Sequence, residues 1–454
     1  MLNLAARDVA RWTGGRLVGP DATLASVSID SRTLTPGALF VALHGTRHDG
    51  HAFVAQARAR GAAAVLVARD PGDGLPAIVV ADPLRALGEL ARAVRAQRRV
   101  RVAGITGSNG KTTVKTFAAA ILGRCGRTHV NAGNFNNEIG LPLTVLGIPD
   151  DAEFAVLEMG AGKPGDIAYL ARIAGPWIGL VNNVAPAHLE RLGSLAGVAD
   201  TKAAIYDALP AVGIAVINAD DAYAPLFVER AGARRIIRFG LANPADVRAE
   251  GMQDSRFTLV TPAGRADVEL HLAGRHNVMN ALAAAAIGHA AGAPLAAIAA
   301  GLAEVVPAHG RLESRRLPDG TVLVDDSYNA NPGSFAAAIA LLAAAPGRRV
   351  LVMGDMAELG VDAERLHGEV GALARQAGLD ALYATGPLSR HAVTAFGAGA
   401  RHFPDPMALV AALRSECGDG ATLLVKGSRA SRMERVVEAL AGGRNGNGGE
   451  RDAA

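Results

Sequence analysis

Short apolar runs, separated by glycine, proline and charged residues, set the rhythm of this chain. Near the N-terminus the runs at residues 27–29, 39–43, 63–67 and 77–80 are too short for helices and predict strands. Residues 51–60 predict a helix. A longer helix is predicted from residue 83 to about 97, because Asp82 suits the N-cap and Pro83 the first helical position.

From Val100 the pattern becomes strand then helix, repeated. Strand-like runs at 101–105, 154–158, 178–181 and 213–217 have helical stretches between them. That alternation predicts a parallel sheet with crossover helices. A third series begins near 321 and continues through 349–353, 381–385 and 422–425. Residues 281–303 are nearly uncharged and long enough to cross a bilayer. They are mostly Ala and Gly, however, with His289 and Pro294 inside, so two soluble helices broken near Gly292-Ala293-Pro294 are expected. The fold class expected is α/β in three domains. A small α/β N-terminal domain occupies 1–81, a central P-loop ATPase-type parallel sheet 82–309, and a C-terminal Rossmann-like domain 310–441. The length of 454 residues suits this, at roughly 150 per domain. The Gly- and Asn-rich residues 442–454 predict a disordered tail.

Composition narrows the function. Aromatics are only 4% of the chain, so its cores must be built from Ala, Val, Leu and Ile. The net charge is +3, and the Arg pairs are scattered with no basic block. That argues against nucleic acid or an anionic membrane as partner. Cys125 and Cys417 lack the spacing of a disulfide framework or zinc site and fit a reducing compartment. Arg7, Asp8 and Arg11 interrupt the first apolar stretch, so no signal-peptide core exists. A cytoplasmic protein without a transmembrane segment is expected.

The strongest local signal is Thr106-Gly107-Ser108-Asn109-Gly110-Lys111-Thr112-Thr113, after a strand and before a helix starting near Thr113. Glycines let successive backbone N–H groups face a phosphate, and the helix N-terminus adds partial positive charge. Lys111 can reach the β- and γ-phosphates of ATP, and the Thr112 hydroxyl can bind Mg²⁺. The full G-x-x-x-x-G-K-T spacing is absent, because position 105 is Ile. Glu158 ends a strand, where ligands gather in open parallel sheets. His188 also follows a strand end, although Mg²⁺ prefers oxygen to imidazole. By itself Lys202 reads as a solvated helix lysine.

Taken together, these motifs resemble the Mur ligases, the amide-forming enzymes of peptidoglycan precursor synthesis. The resemblance runs from Ser28-Ile29-Asp30-Ser31-Arg32 to Lys426-Gly427-Ser428-Arg429 and includes the phosphate loop and Gly274-Arg275-His276-Asn277. Three segments are similar to the branch that adds D-Ala-D-Ala. They are Asn134-Phe135-Asn136-Asn137-Glu138-Ile139-Gly140, Asp325-Asp326-Ser327-Tyr328-Asn329-Ala330-Asn331-Pro332 and Gly354-Asp355-Met356-Ala357-Glu358-Leu359-Gly360.

The resemblance implies ATP and two Mg²⁺ ions as cofactors. It implies Thr112, Glu158 and His188 as metal ligands, with Lys202 as a further ligand once carbamylated. This chain departs from the pattern just afterwards, with Ala204 where relatives carry Glu. Lys111, Glu158, His188 and Lys202 are thereby the catalytic candidates. Asn277, Arg311, Asp326 and Asn329 are implied ATP contacts, beside the loop residues Thr106 to Thr113. Ser31, Arg32, Gly45, His48 and Asp49, with the intervening Thr46-Arg47, resemble a UDP-sugar site. Arg suits diphosphate recognition there. Asn134, Asn136 and Asn137 are implied to lie beside a muramoyl-peptide, and Asn331, Lys426 and Arg429 near substrate anions. The implied reaction joins UDP-MurNAc-tripeptide to D-Ala-D-Ala through an acyl-phosphate. A monomer is expected.

Alternatives within the class are addition of diaminopimelate or lysine, or a folylpolyglutamate synthase relative. An Asp-Asn-Pro-Arg motif, expected for diaminopimelate addition, is absent. A catalytically silent ATP-binding switch or scaffold is the alternative of a different kind.

Overall fold

A computed structural model describes residues 2–45, 48–72, 74–307, 309–418 and 420–442. The expected tail beyond Gly442, and Thr46 and Arg47, lie outside the described residues. Each of the three segments builds its own large sheet.

The first sheet runs in the order Arg16–Val18, Ala77–Val79, Ala64–Val67, Ala38–Val41, Ser26–Ser28. It is parallel except at Arg16–Val18. The helix expected at 51–60 is a 3₁₀ turn, Gly50–Phe53, leading into Val54–Ala59. A helix at Ala6–Thr13 was not expected. It buries Ala6, Val9 and Ala10, the i, i+3, i+4 face of an amphipathic helix.

The nine-stranded middle sheet is parallel from Thr128–Val130 through Phe154–Glu158, Arg101–Thr106, Ile178–Val181, Ile214–Asn218 and Arg235–Gly240 to Val247–Gln253. The parallel sheet expected is extended at its far edge, where Arg256–Thr261 and Gly264–Glu269 add antiparallel. Two residues separate these last strands from one another, too few for a crossover and enough for a hairpin. The helices Arg275–Ala290 and Leu295–Glu304 break where expected and pack on the Lys111–Gly123 helix. No helix of the described residues is long and apolar enough to cross a membrane.

The C-terminal sheet runs Glu313–Arg316, Val322–Asp326, Ala421–Lys426, Arg348–Met353, Ala381–Thr385, Ala400–Phe403. It is parallel except at Glu313–Arg316.

The helix Pro83–Ala96 joins the first two segments. Asp82 accepts hydrogen bonds from Leu84 N (2.9 Å) and Arg85 N (3.1 Å), with Pro83 in the first turn. Its buried face, with Leu87, Leu90, Ala91 and Val94, enters one core with residues from Ala6 to Ala231. The two cores of the C-terminal segment contain no buried residue from outside it.

Candidate active site

Three neighbouring parallel strands end at one place. Arg101–Thr106 lies between Phe154–Glu158 and Ile178–Val181, so Thr106, Glu158 and Asn182 meet at their carboxyl ends. The loop from Gly107 to Gly110 leaves the middle strand and opens the Lys111–Gly123 helix, two residues earlier than expected. Gly110 sits at its N-cap with φ +75° and offers no side-chain cap. The first N–H groups of the helix therefore have no acceptor within it and face outwards as an anion cradle.

Asparagines shape the loop. Ser108 N donates to Asn183 O (3.0 Å), and Asn109 N to Asn183 Oδ1 (2.8 Å). The Ser108 hydroxyl donates to Ala185 O. Asn182 Nδ2 bridges Asn109 O and Asn280 Oδ1. Thr106 Oγ1 and Asn182 Oδ1 are buried beside the loop with no partner. A Cβ at Gly110 would stand 2.2 Å from Asn280 Oδ1 and 2.7 Å from Asn182 Nδ2. Gly110→Ala thus combines a left-handed backbone with two clashes. It should cost about 2 kcal/mol of stability and weaken nucleotide binding by about tenfold or more, since the cradle is built of fixed backbone groups. Fluorescent-nucleotide titration and a thermal melt test this; wild-type affinity would refute it.

Glu158 is 3% exposed at the centre of the site. Thr112 Oγ1 donates to its Oε2 (2.8 Å) and Asn136 Nδ2 to its Oε1 (2.7 Å). Lys115 Nζ lies 3.6 Å from Oε2. Burial alone would raise this carboxyl's pKa, but Lys111, Lys115 and the two donors outweigh it and hold it below the usual range. Arg311, from the C-terminal segment, donates to Thr112 Oγ1 (3.1 Å), and its guanidinium lies 4.1 Å from the Tyr328 ring centroid. Lys111 Nζ donates to Gly107 O (2.7 Å). Burial depresses the Lys111 amine, Glu158 opposes this, and Arg311 adds to it. Lys202 is 2% exposed, and burial, then the Lys111 charge, push its amine well below the usual range. Lys111 and Lys115 thus act on one carboxylate, Arg311 reaches its Thr112 partner, and Lys202 lies near enough to feel Lys111; such a surplus of cations suits a polyanion.

Family models match along the chain. A Mur ligase family catalytic-domain model covers residues 23–95, the Mur ligase middle domain 105–288, and the Mur ligase glutamate ligase domain 310–429. The UDP-N-acetylmuramoyl-tripeptide–D-alanyl-D-alanine ligase of Escherichia coli K12 is 46% identical over 97% of this chain and 99% of its own length. The chain belongs to the Mur ligase family. A Bacillus subtilis protein of the same description is 36% identical, covering 97% of this chain and 99% of the relative. The structure is similar to MurF from Acinetobacter baumannii, with TM-score 0.92, 32% identity, and coverage of 97% and 100% of the two chains. It is also similar to Thermotoga maritima MurF in complex with ADP (TM-score 0.83, 29% identity, coverage 92% and 97%).

In this Mur ligase the C-terminal segment meets the phosphate loop through polar groups. Asn331 Nδ2 donates to Asn109 Oδ1 (2.7 Å), while Asn331 Oδ1 caps the next helix through Ser334 N. His188 Nδ1 is 2.5 Å from Glu358 Oε2, which leaves only Nε2 for a further ligand. That pairing outweighs burial, which acts the other way, and holds the Glu358 carboxyl below its usual range. Lys426 is buried, donating to Asp326 Oδ2 (2.6 Å) and Asn329 O (2.9 Å). Arg429 lies 5.8 Å from the Tyr328 ring centroid. Asn277 is buried, donating to Ala273 O and accepting from Asn280. Thr113 is half-buried in the helix's first turn.

The N-terminal candidates form a separate group. Ser31 donates to Gln56 Oε1 (2.7 Å). Arg32 is held by Asp30 through two side-chain bonds. Asp49 accepts from the His51 backbone and faces its ring. Gly45 N donates to His48 O, and the His48 ring meets Phe53 edge-on at 6.3 Å. Among the substrate asparagines, Asn136 alone touches Glu158. Asn137 Oδ1 accepts from Ile139 N and Gly140 N, and Asn134 is exposed.

Several residues that shape the site were not anticipated. Lys115 lies one turn after Lys111, so helical spacing places it on the same face. Asn131 brackets Glu158, accepting from its N–H and donating to its carbonyl. Glu358 belonged to a quoted motif but carried no role.

Proposed function

We propose that this Mur ligase joins D-Ala-D-Ala to UDP-MurNAc-tripeptide at the expense of ATP. The observation that carries the proposal is the convergence of Lys111, Thr112, Glu158 and Arg311 on one helix N-terminus, with cations in surplus. The peptide carboxylate attacks the γ-phosphorus of ATP, giving an acyl-phosphate and ADP. The D-Ala-D-Ala amine then attacks the acyl carbon. The tetrahedral adduct expels phosphate, and the amine loses its proton as the amide forms. Such phosphoryl transfer needs charge neutralisation and alignment more than a protein nucleophile. Lys111 and Arg311 supply fixed positive charge, and the docked C-terminal segment keeps water from the acyl-phosphate.

Mg²⁺ belongs to this reading. Thr112 and Glu158 present hard oxygens 2.8 Å apart, as that ion prefers. His188 Nε2 is a third candidate donor. Bound there, the ion would neutralise charge on the phosphates. Lys202 suits carbamylation, because its deeply buried amine is held toward the neutral, nucleophilic form. The carbamate would convert a cation into an oxygen ligand for a second Mg²⁺. ¹³C-labelled bicarbonate should give a protein-bound carbamate resonance that Lys202→Gln lacks; a wild-type spectrum without it removes that part.

The proposed domains are 1–81, 82–309 and 310–441, with Ser31, Arg32 and the Gly45–Asp49 stretch holding the UDP-sugar. Two free cysteines and use of ATP support a cytoplasmic location, and the enzyme is taken to act as a monomer. The test is mass spectrometry of the product from pure protein, Mg²⁺, ATP, UDP-MurNAc-tripeptide and a panel of amines. The pentapeptide precursor with D-Ala-D-Ala is expected. Preferential incorporation of diaminopimelate or lysine, or ATP hydrolysis that ignores both co-substrates, would overturn it.

A further inference from the structure

Where the chain enters its C-terminal segment, two carboxylates face each other. Glu313 and Asp325 are directly opposed across the antiparallel pair Glu313–Arg316 and Val322–Asp326. Side chains at such positions share one face, and like charges there repel. His309 Nδ1 lies 3.0 Å from Glu313 Oε2. One donor atom each from His309, Glu313 and Asp325 lies within 4.8 Å of the others.

Asp325 supplies an independent observation. It is fully buried, and its Oδ1 accepts from Ser327 N (3.0 Å) and Ser327 Oγ (2.6 Å). Its Oδ2 is also buried and has no partner. A buried carboxylate oxygen without a donor is costly. A cation shared with Glu313 and His309 would remove both that cost and the repulsion.

We propose that His309, Glu313 and Asp325 form a second metal site, separate from the nucleotide-binding loop, for a first-row divalent transition ion. One imidazole with two carboxylates suits Zn²⁺, Co²⁺ or Mn²⁺ better than Mg²⁺, which takes oxygen. The site spans the turn that carries Arg311. A metal there ties the two strands together and fixes the segment from which Arg311 reaches Thr112.

Metal-stripped full-length protein, held in excess Mg²⁺ to occupy the nucleotide-loop ligands Thr112, Glu158 and His188, is titrated with Co²⁺. Visible d–d absorption should saturate at one equivalent, and Zn²⁺ should displace it. His309→Ala changes an exposed side chain and should weaken Co²⁺ binding by at least about tenfold, as loss of a direct ligand must exceed loss of an outer partner. Zn²⁺ should raise the melting temperature of the wild type and not of His309→Ala. Asp325→Asn should also lose the absorption, and Glu313→Gln serves if that variant does not fold. Absence of Co²⁺ binding under excess Mg²⁺, or equal binding by His309→Ala, overturns the proposal.

Discussion

Lys111→Ala should abolish ligation while the protein still folds. In the proposed reaction this amine, at the N-terminus of the Lys111–Gly123 helix, neutralises the terminal phosphate of ATP. Fixed cations aimed at transferring phosphoryl groups contribute about 10³-fold or more to rate. The stability cost is expected to be small, for a physical reason. Burial and Arg311 both disfavour the Lys111 charge, with Glu158 opposing them. Its hydrogen bonds go to two carbonyls of its own loop, Gly107 O and Ser108 O. Alanine removes the crowding of cations as well as the bonds, and it is a good helix former. The melting transition should therefore shift by about 1 kcal/mol or less, by the usual net worth of a hydrogen bond. Phosphate release and product formation, measured beside a thermal melt, separate the two effects. Near-wild-type ligation would end the phosphate-loop reading.

Glu158→Gln should damage both chemistry and stability. Gln keeps the shape but loses the charge that Lys115 and Lys111 face. Lys115 is 6% exposed, so its ammonium would remain buried without a carboxylate. Removing one member of a buried pair costs about 3 kcal/mol. Ligation should fall by about 10²- to 10³-fold through lost electrostatic organisation.

The pH dependence has a definite sign. The folded carboxyl titrates below its unfolded value, which is about 4.3. Its contribution is complete above that value and disappears as pH falls through the lower, folded pKa. The stability gap between wild type and Glu158→Gln should thus be full at neutral pH and close in acid. Calorimetry across that range checks it; a gap that persists unchanged in acid would mean that the Glu158 charge is not responsible.

Much of this was legible in the sequence because the signals are local. Asp82-Pro83 marks a helix start through neighbouring residues alone, and the observed helix begins at Pro83. The phosphate loop is likewise a contiguous strand, turn and helix. The missed features are those in which distant residues meet. Asn131 grips Glu158 across 27 positions, and nothing near Asn131 announces its partner. Glu358 reaches His188 from a different sheet. Lys115 was overlooked because a helix lysine is ordinarily solvated; here a buried carboxylate accounts for it. The antiparallel edge had a readable cue in the two-residue breaks between strands.

The helix Pro83–Ala96 carries a mechanical consequence. By placing the first sheet's core in continuity with the middle one, it makes those parts a single melting unit. The C-terminal sheet shares no buried core with them: Leu189 packs against its edge, and Arg311, Asn331 and Glu358 make polar contacts across the seam. Greasy surfaces are slow to part in water, whereas hydrogen bonds and ion pairs exchange with solvent readily. Heating should therefore release the last third of the chain as its own transition, which calorimetry would record as a separate peak.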